Sequence, residues 1–447
     1  MSAIKRNLII KRAFLYIFLL AVPLLTAHYW HLNFLARKAA DNANIIVEAG
    51  RLAGLAGVYC LMLQVLLVGR VSWIERLFGL DRLTIAHHIN GLLIIPLLCA
   101  HPLLLSIGYG RDFGNPLFQQ YKELMTWDSV VPASYGLISL FAIVLLSLGA
   151  IRKRLGYEIW YGIHVLALVA IALAFIHQFR TGNDLLDSPA LTRLWYLMYA
   201  FTFGNLVVYH LLKPLVSYLR HAFKVEKVER ESDDVVSVYI GGRNMAGFRF
   251  EPGQFVIVRF LASGFMSEAH PFSLSSCGAD GLLRITVKSS GSFTSRVSRL
   301  PAGTRVIIDG PHGVFTAPFS SLEKILLIAG GIGITPIRAI AEKFLQQGKD
   351  VTLLYSCRKK GGIVFGSELD ALRESKGMKL VYVISDSSDP GDEKGRIDGE
   401  KLKRLVPDAS ERDIYICGPV PMMMGLVKLL ASQGVKRKRL HYERFSL

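Results

Sequence analysis

The chain has 447 residues, enough for two or three domains, and 51% are hydrophobic with a mean hydropathy of +0.37. The net charge of +17 gathers at the ends of apolar runs rather than on a face interleaved with aromatics, which points to positive-inside loops and away from nucleic acid. The five cysteines, Cys60, Cys99, Cys277, Cys357 and Cys417, make no CxxC pair, which argues against a disulfide framework and a thiolate metal site.

The apolar excess lies before about residue 215. A bilayer core needs about 20 apolar residues in a helix. Six segments qualify, near 13–34, 45–69, 84–108, 132–151, 159–179 and 191–212. Basic residues crowd one set of ends: Lys5, Arg6, Lys11 and Arg12, then Arg70, Arg76 and Arg82, then Arg152 to Arg154, then Lys213, Arg220 and Lys224. The opposite loops mix signs. Six spans with this bias predict a multi-pass protein of the cell membrane, in contact with lipid, with both termini in the cytoplasm.

Ionisable side chains inside spans are costly and usually functional. The third span carries His87, His88 and His101, and the fifth carries His164 and His177. A spacing of 13 or 14 residues is roughly 20 Å of helix. Each helix therefore offers one imidazole near the inner leaflet and one near the outer. Facing helices would make two histidine pairs, His87–His164 inside and His101–His177 outside, and imidazole is an axial ligand for haem iron. Fourteen residues return to nearly the same helix face, so position 87 partners His101 better than 88 does. Thirteen do not, so the fifth span needs tilt or a distorted turn. His28 and His31 read as interfacial. Arg51, in the second span, would pair with a haem propionate or serve as a snorkelling anchor.

From Phe223 to about 316 the pattern becomes short β-branched strands, predicting a small antiparallel β-barrel. Within it lie "HPFSLSS" (270–276) and "VKSSGSFTSRV" (287–297), where Lys288, Gly291 and Thr294 offer charge, open backbone and a hydroxyl to a phosphate. "KILLIAGGIGITPIRAIAEKFLQQG" (324–348) then reads as strand, glycine turn and amphipathic helix, the first unit of a doubly wound α/β domain. Gly330, Gly331 and Gly333 would let a phosphate approach the helix N-terminus, with Thr335 as cap and Pro336 in the first turn. Arg358, Lys359 and Lys360 follow the next strand and would suit the 2′-phosphate of NADPH over NADH, or form a solvated loop. "ICGP" puts Cys417 and Gly418 at the carboxyl end of a later strand.

Together these features resemble the ferric reductase and NADPH oxidase superfamily, over nearly the whole chain. The resemblance implies a multidomain architecture: a transmembrane di-haem six-helix bundle (1–220), an FAD-binding β-barrel domain (221–318) and an NADPH-binding α/β domain (319–447). It implies FAD, two haem b groups and NADPH, with NADH as the alternative. His270, Pro271, Phe272 and Ser273 would line the flavin ring. Ser292, within "SGSFT", would help Gly291 and Thr294 hold the FAD pyrophosphate. Cys417, Gly418 and Pro419 would lie near the nicotinamide, and Phe445 would cover the flavin. Ser273, Cys417 and Phe445 are the catalytic candidates. Gly91 follows His87 at the family's spacing, which favours it over His88. The haem ligands would be His87, His101, His164 and His177. The implied activity carries electrons from NADPH to an acceptor outside the cell. That acceptor is dioxygen, giving superoxide, or a ferric chelate, or a partner protein for which this chain is the electron donor.

Overall fold

The computed structural model describes residues 3–443 except 153, 267, 279–280, 318–321, 388 and 390–392. The chain divides into two compact units: residues 1–71 with 82–207, and residues 72–81 with 208–447.

The first unit is helical. Among the described residues, five helices are long and apolar enough to cross a membrane: Ile9–Ala39, Ile45–Val68, Leu80–Phe113, Val130–Ser147 and Glu158–Arg180. Their exposed faces carry Phe14, Leu24, Leu92, Ile138 and Ile159, each more than half exposed. Apolar side chains turned outward on this scale suit helices that cross a membrane. The inner faces pack Met62, Ile94, Leu140, Ile171, Leu191 and Trp195 into one core. Asn44 opens the second helix by accepting hydrogen bonds from the amides of Ile46 and Val47.

Two expectations need adjustment here. The sixth expected span forms helix Pro189–Val207 and then π-helical turn Val208–Leu212, and it is not among the five. Thr192, Arg193, Thr202 and Asn205 dilute its apolar content. The fifth span is broken into Tyr157–Val165, Ala167–Leu173 and Phe175–Arg180. At the first break the Leu166 amide donates to Ile163 and that of Val169 to Leu166. Such three-residue turns rotate faster than an α-helix. They supply rotation in the sense that the short His164–His177 spacing requires.

The second unit begins with antiparallel strands β1 (Lys224–Ser232), β2 (Val235–Gly241), β3 (Phe255–Phe260), β4 (His270–Ser273), β5 (Leu283–Lys288) and β6 (Val306–His312). The sequence predicts a small antiparallel β-barrel, and these strands do pair antiparallel. The strands make two three-stranded sheets, β1-β2-β5 and β4-β3-β6, with isolated bridges at Lys224–Arg305 and Leu274–Ile285. Phe223, Val238, Val256, Phe260, Leu274, Ile285 and Ile308 fill the space between them. Strand β4 lies at a sheet edge, where Pro271 removes no ladder hydrogen bond.

Next come β7 (Lys324–Gly330), β8 (Asp350–Cys357), β9 (Lys379–Ile384), β10 (Glu393–Lys394), β11 (Asp413–Cys417) and β12 (Leu440–Tyr442). They form one parallel sheet in the order β10-β9-β8-β7-β11-β12, with apolar clusters on both faces. The order reverses between β7 and β11. A doubly wound sheet opens its ligand crevice there, at the carboxyl ends of the strands. Arg284 of β5 ties the two parts of this unit together through Glu368, at 2.6 and 3.0 Å, and Arg338 adds a 2.8 Å bond to the same carboxylate.

Candidate functional site

In the helical unit the structure brings together the histidines that the sequence singled out. The rings of His87 and His164 have centroids 6.0 Å apart, and those of His101 and His177 are 6.4 Å apart. Two imidazoles on one first-row metal at about 2 Å each, with roughly 1 Å from nitrogen to ring centre, put the centroids about 6 Å apart. Both pairs fit an iron between them. The Nδ1 atoms mostly turn away from the gap. His87 Nδ1 faces the carbonyl of Gln64 (3.2 Å), His101 Nδ1 that of Gly50 (2.8 Å), and His164 Nδ1 the hydroxyl of Ser147 (3.2 Å). Such bonds fix the tautomer that leaves Nε2 free as a ligand. His177 Nδ1 has no hydrogen-bond partner among the described residues. His88 instead bonds within its own helix, to the Thr84 carbonyl.

Gly54 makes room for the outer pair: a Cβ there would meet His101 Nδ1 at 2.6 Å. His101 and His177 line a largely apolar cavity with Gly54, Leu137, Trp195 and Arg51. Arg51 is held by Glu48 (3.0 Å) and the Tyr109 hydroxyl (3.1 Å), so its guanidinium is fixed within the protein rather than extended as a free anchor.

The second unit has a cavity of about 490 Å³ at the switch point of its sheet. Pro271, Phe272 and Ser273 line it from β4, Lys288 and Thr294 from the "SGSFT" region, and Gly330, Gly331, Gly333 and Thr335 from the glycine turn. Cys417, Gly418 and Pro419 complete the far wall, and Leu80, Asp81 and Glu443 join them. Most candidates from distant parts of the sequence thus share one pocket. His270 does not line it. It bonds Glu268 (3.1 Å) and stacks on Phe293 at 4.0 Å. Gly291, Ser292, Pro336 and Arg358 also lie outside the lining. Arg358 pairs with Asp386 at 2.8 Å on the surface. Phe445 lies outside the described residues.

Local geometry revises one reading and adds detail to two others. Thr335 does not cap its helix, Ile334–Gln346: Gly333 holds the cap position, and the Thr335 hydroxyl donates to the Ile332 carbonyl (3.0 Å). Gly330 and Gly333 are demanded by packing. A Cβ on Gly330 would meet Met422 Sδ at 2.4 Å, and one on Gly333 would meet the Cys417 carbonyl oxygen at 2.4 Å. Gly331 alone has a left-handed backbone, at φ +53°, with open space around its Cβ position. The Thr294 hydroxyl accepts from the amides of Ser290 (2.9 Å) and Gly291 (3.0 Å), tightening the loop before helix Ser292–Arg296.

The pocket's titratable groups are set by burial. Burial pushes the Cys417 thiol well up, with Glu443 adding to the effect, so Cys417 is a neutral contact rather than a thiolate. Burial, then the charges of Asp81 and Glu75, push Glu443 up to about 8. Sequence reasoning passed over Glu443. Its one signal is an acid two residues before the aromatic in "HYERFSL".

Residues 53–175 match the family of ferric reductase like transmembrane components, residues 220–316 an FAD-binding domain, and residues 327–428 an oxidoreductase NAD-binding domain. The matches thus join an apolar helical part to flavin- and nicotinamide-type domains. Together the three matches correspond to the domain set of a ferric reductase and NADPH oxidase-like superfamily. It is similar to an NADPH oxidoreductase of Mycobacterium tuberculosis, 29% identical over 247 residues, covering 53% of this chain and 63% of that protein. A flavohemoprotein of Chromobacterium violaceum is 31% identical over 247 residues, covering 50% of this chain and 60% of that protein. A solved flavohem-like FAD/NAD binding domain of a nitric oxide dioxygenase from Vibrio cholerae O1 biovar El Tor is 28% identical, covering 49% of this chain and 96% of that one, with a TM-score of 0.45. The chain spans less than two thirds of the curated relatives it matches first.

Proposed function

We propose that this chain moves electrons from cytosolic NADPH, by way of FAD and two b-type haems, to an acceptor outside the cell membrane, dioxygen first among the acceptors. The observation that carries this reading is the pair of histidine pairs, 6.0 and 6.4 Å between ring centres, in a chain that also has a flavin- and nicotinamide-type pocket. His87 with His164, and His101 with His177, would hold the haems. Pro271, Phe272, Ser273, Lys288 and Thr294 would hold FAD, and the Gly330–Gly333 turn with Cys417 to Pro419 would receive the nicotinamide nucleotide. When bound, the flavin supplies the conversion of a two-electron donor into one-electron steps, and the haems supply one-electron carriers.

The protein's own part is positional. The Nδ1 contacts of His87, His101 and His164 orient their rings. The Leu166 and Ala174 breaks align His177 with His101. Cys417, as a neutral thiol, leaves the pocket without a competing nucleophile. Segments 1–220, 221–318 and 319–447 take the membrane, flavin and nicotinamide roles. The loop charges support cytoplasmic termini, and the exposed Arg358 supports NADPH over NADH. With two imidazoles on each iron, electrons would leave without the acceptor binding the metal.

The test is cytochrome c reduction by the purified full chain with NADPH. Abolition by superoxide dismutase is the expected result. Ferric chelate reduction that persists without oxygen, at a rate above the oxygen-dependent one, would replace dioxygen with iron. Negligible rates in both until a partner protein is added would make the chain a donor subunit.

A further inference from the structure

Beside the flavin-type pocket lies a buried set of acids and one histidine that the proposed electron path does not use. Helix Ser72–Phe78, part of the second unit, inserts Glu75, 2% exposed, against the end of β6. His312, also 2% exposed, places Nδ1 2.7 Å from Glu75 Oε2 and Nε2 3.1 Å from Asp309 Oδ1. Two carboxylates accepting from both ring nitrogens is the pattern of an imidazolium. The Gly313 amide donates to Glu75 Oε1 (2.7 Å). Gly313 also borders the pocket acid: a Cβ on it would lie 3.3 Å from Glu443 Oε2. That oxygen has no hydrogen-bond partner among the described residues, and Glu443 is 4% exposed. On the far side, Lys213 donates to Ser72 Oγ (2.8 Å) and is drawn by the charges of Asp309 and Glu75. Phe255, whose ring centroid is 5.6 Å from that of His312, closes the remaining side without a titratable group.

The chemistry supplies a use. A hydride taken from a nicotinamide C–H bond brings one proton and two electrons. If the two electrons leave singly to one-electron carriers, one proton stays behind in the pocket. We propose that Glu443, Glu75, His312 and Asp309 carry that proton out. The proton leaves the reduced cofactor as an O–H bond forms on Glu443; that bond breaks as Glu75 takes the proton and hands it to His312 Nδ1, while the Nε2–H bond of His312 breaks and its proton passes to Asp309, to be released beside Lys213. The proposal rests on the flavin and nicotinamide reading above. Two tendencies support it. Glu443 titrates at about 8, so both of its forms are accessible near neutrality. Burial opposes the charge on His312, but Asp309 and Glu75 outweigh it and raise its pKa, so it can store a proton. The charged groups facing the relay are Asp81 and Glu75 on Glu443, and Glu75, Asp309 and Lys213 around His312, with Arg76 acting on Lys213.

The test uses the full chain carrying FAD, in single-turnover mixing with NADPH and a pH-indicator dye. His312→Gln keeps hydrogen-bonding capacity but cannot carry a proton. It should retain FAD content and the rate of flavin bleaching by NADPH. Flavin reoxidation and dye-detected proton release should slow together by about a hundredfold, the lower end of what a positioned proton-transfer group contributes. Should that variant fail to accumulate, Asp309→Asn carries the same expectation. Wild type in heavy water should show an isotope effect on reoxidation and none on bleaching. Infrared titration of the resting protein gives a readout without turnover: a carboxylic acid band that disappears near pH 8 and is missing in Glu443→Gln. Wild-type reoxidation rates and proton release in both relay variants, or no isotope effect in wild type, would overturn the relay while leaving the flavin reading intact. Wild-type protein that binds no FAD would overturn that reading and the relay with it.

Discussion

In the helical unit a polar side chain is the exception, and in the second unit it is the rule. His87, His101, His164 and His177 stand out because they sit in long apolar runs, and a group that costs so much in that setting has a reason to be there. The pocket of the second unit is the reverse case. Its serines, threonines and glycines are ordinary loop residues, and only their convergence at the β7–β11 reversal gives them meaning. Function is written by residue type in one region and by topology in the other. Substitutions in the two regions should therefore fail in different ways.

The largest effect should come from His101→Leu. It should remove one of the two haems and nearly all transfer to an external acceptor, while NADPH still bleaches the flavin; haem quantification and anaerobic flavin spectra read both. If haem content is unchanged, the helical half of the comparison collapses.

Next is the pH response of Glu443. Its folded pKa, about 8, lies above the ordinary carboxyl value. Its neutral form is favoured by folding, so its contribution is full below the ordinary value and is lost as pH rises through about 8. The loss is up to about 5 kcal/mol. Glu443→Gln should accordingly gain thermal stability over wild type as pH rises, and a constant Tm difference across that range would contradict the assignment.

Smaller effects separate packing from backbone conformation within the glycine turn. Gly333→Ala drives a methyl into the Cys417 carbonyl and should cost about 3 kcal/mol. Gly331→Ala meets open space but a left-handed backbone and should cost about 1 kcal/mol. Chemical denaturation of the two variants ranks them, and the opposite order would mean the turn is shaped by ligand contact rather than packing. The smallest expected change is Arg358→Ala, which should raise the KM for NADPH about fivefold, or roughly 1 kcal/mol, and leave that for NADH unchanged. Equal changes in both would reduce Arg358 to a surface partner of Asp386.

The same contrast explains what could be read in advance. Imidazoles in apolar runs are visible in one dimension, and helical rotation alone requires a distortion between His164 and His177; the breaks at Leu166 and Ala174 supply it. Alternation of apolar residues announces the antiparallel strands up to β6 but not their division into two three-stranded sheets joined by isolated bridges. Thr335 beside a glycine turn reads as a cap, yet the chain starts its helix two residues earlier and gives the cap position to Gly333. Glu75 was beyond reach. It sits in a seven-residue helix between apolar segments, and its partner His312 is 237 positions away, a pairing that leaves no periodic trace.

The central claim is that four imidazoles grip two irons. Its most direct measurement is the optical spectrum of the dithionite-reduced full chain, with haem and flavin extracted and quantified. The account predicts sharp, low-spin b-type bands with two haems and one FAD per chain. A preparation supplied with both cofactors that takes up FAD but stays free of haem would contradict it.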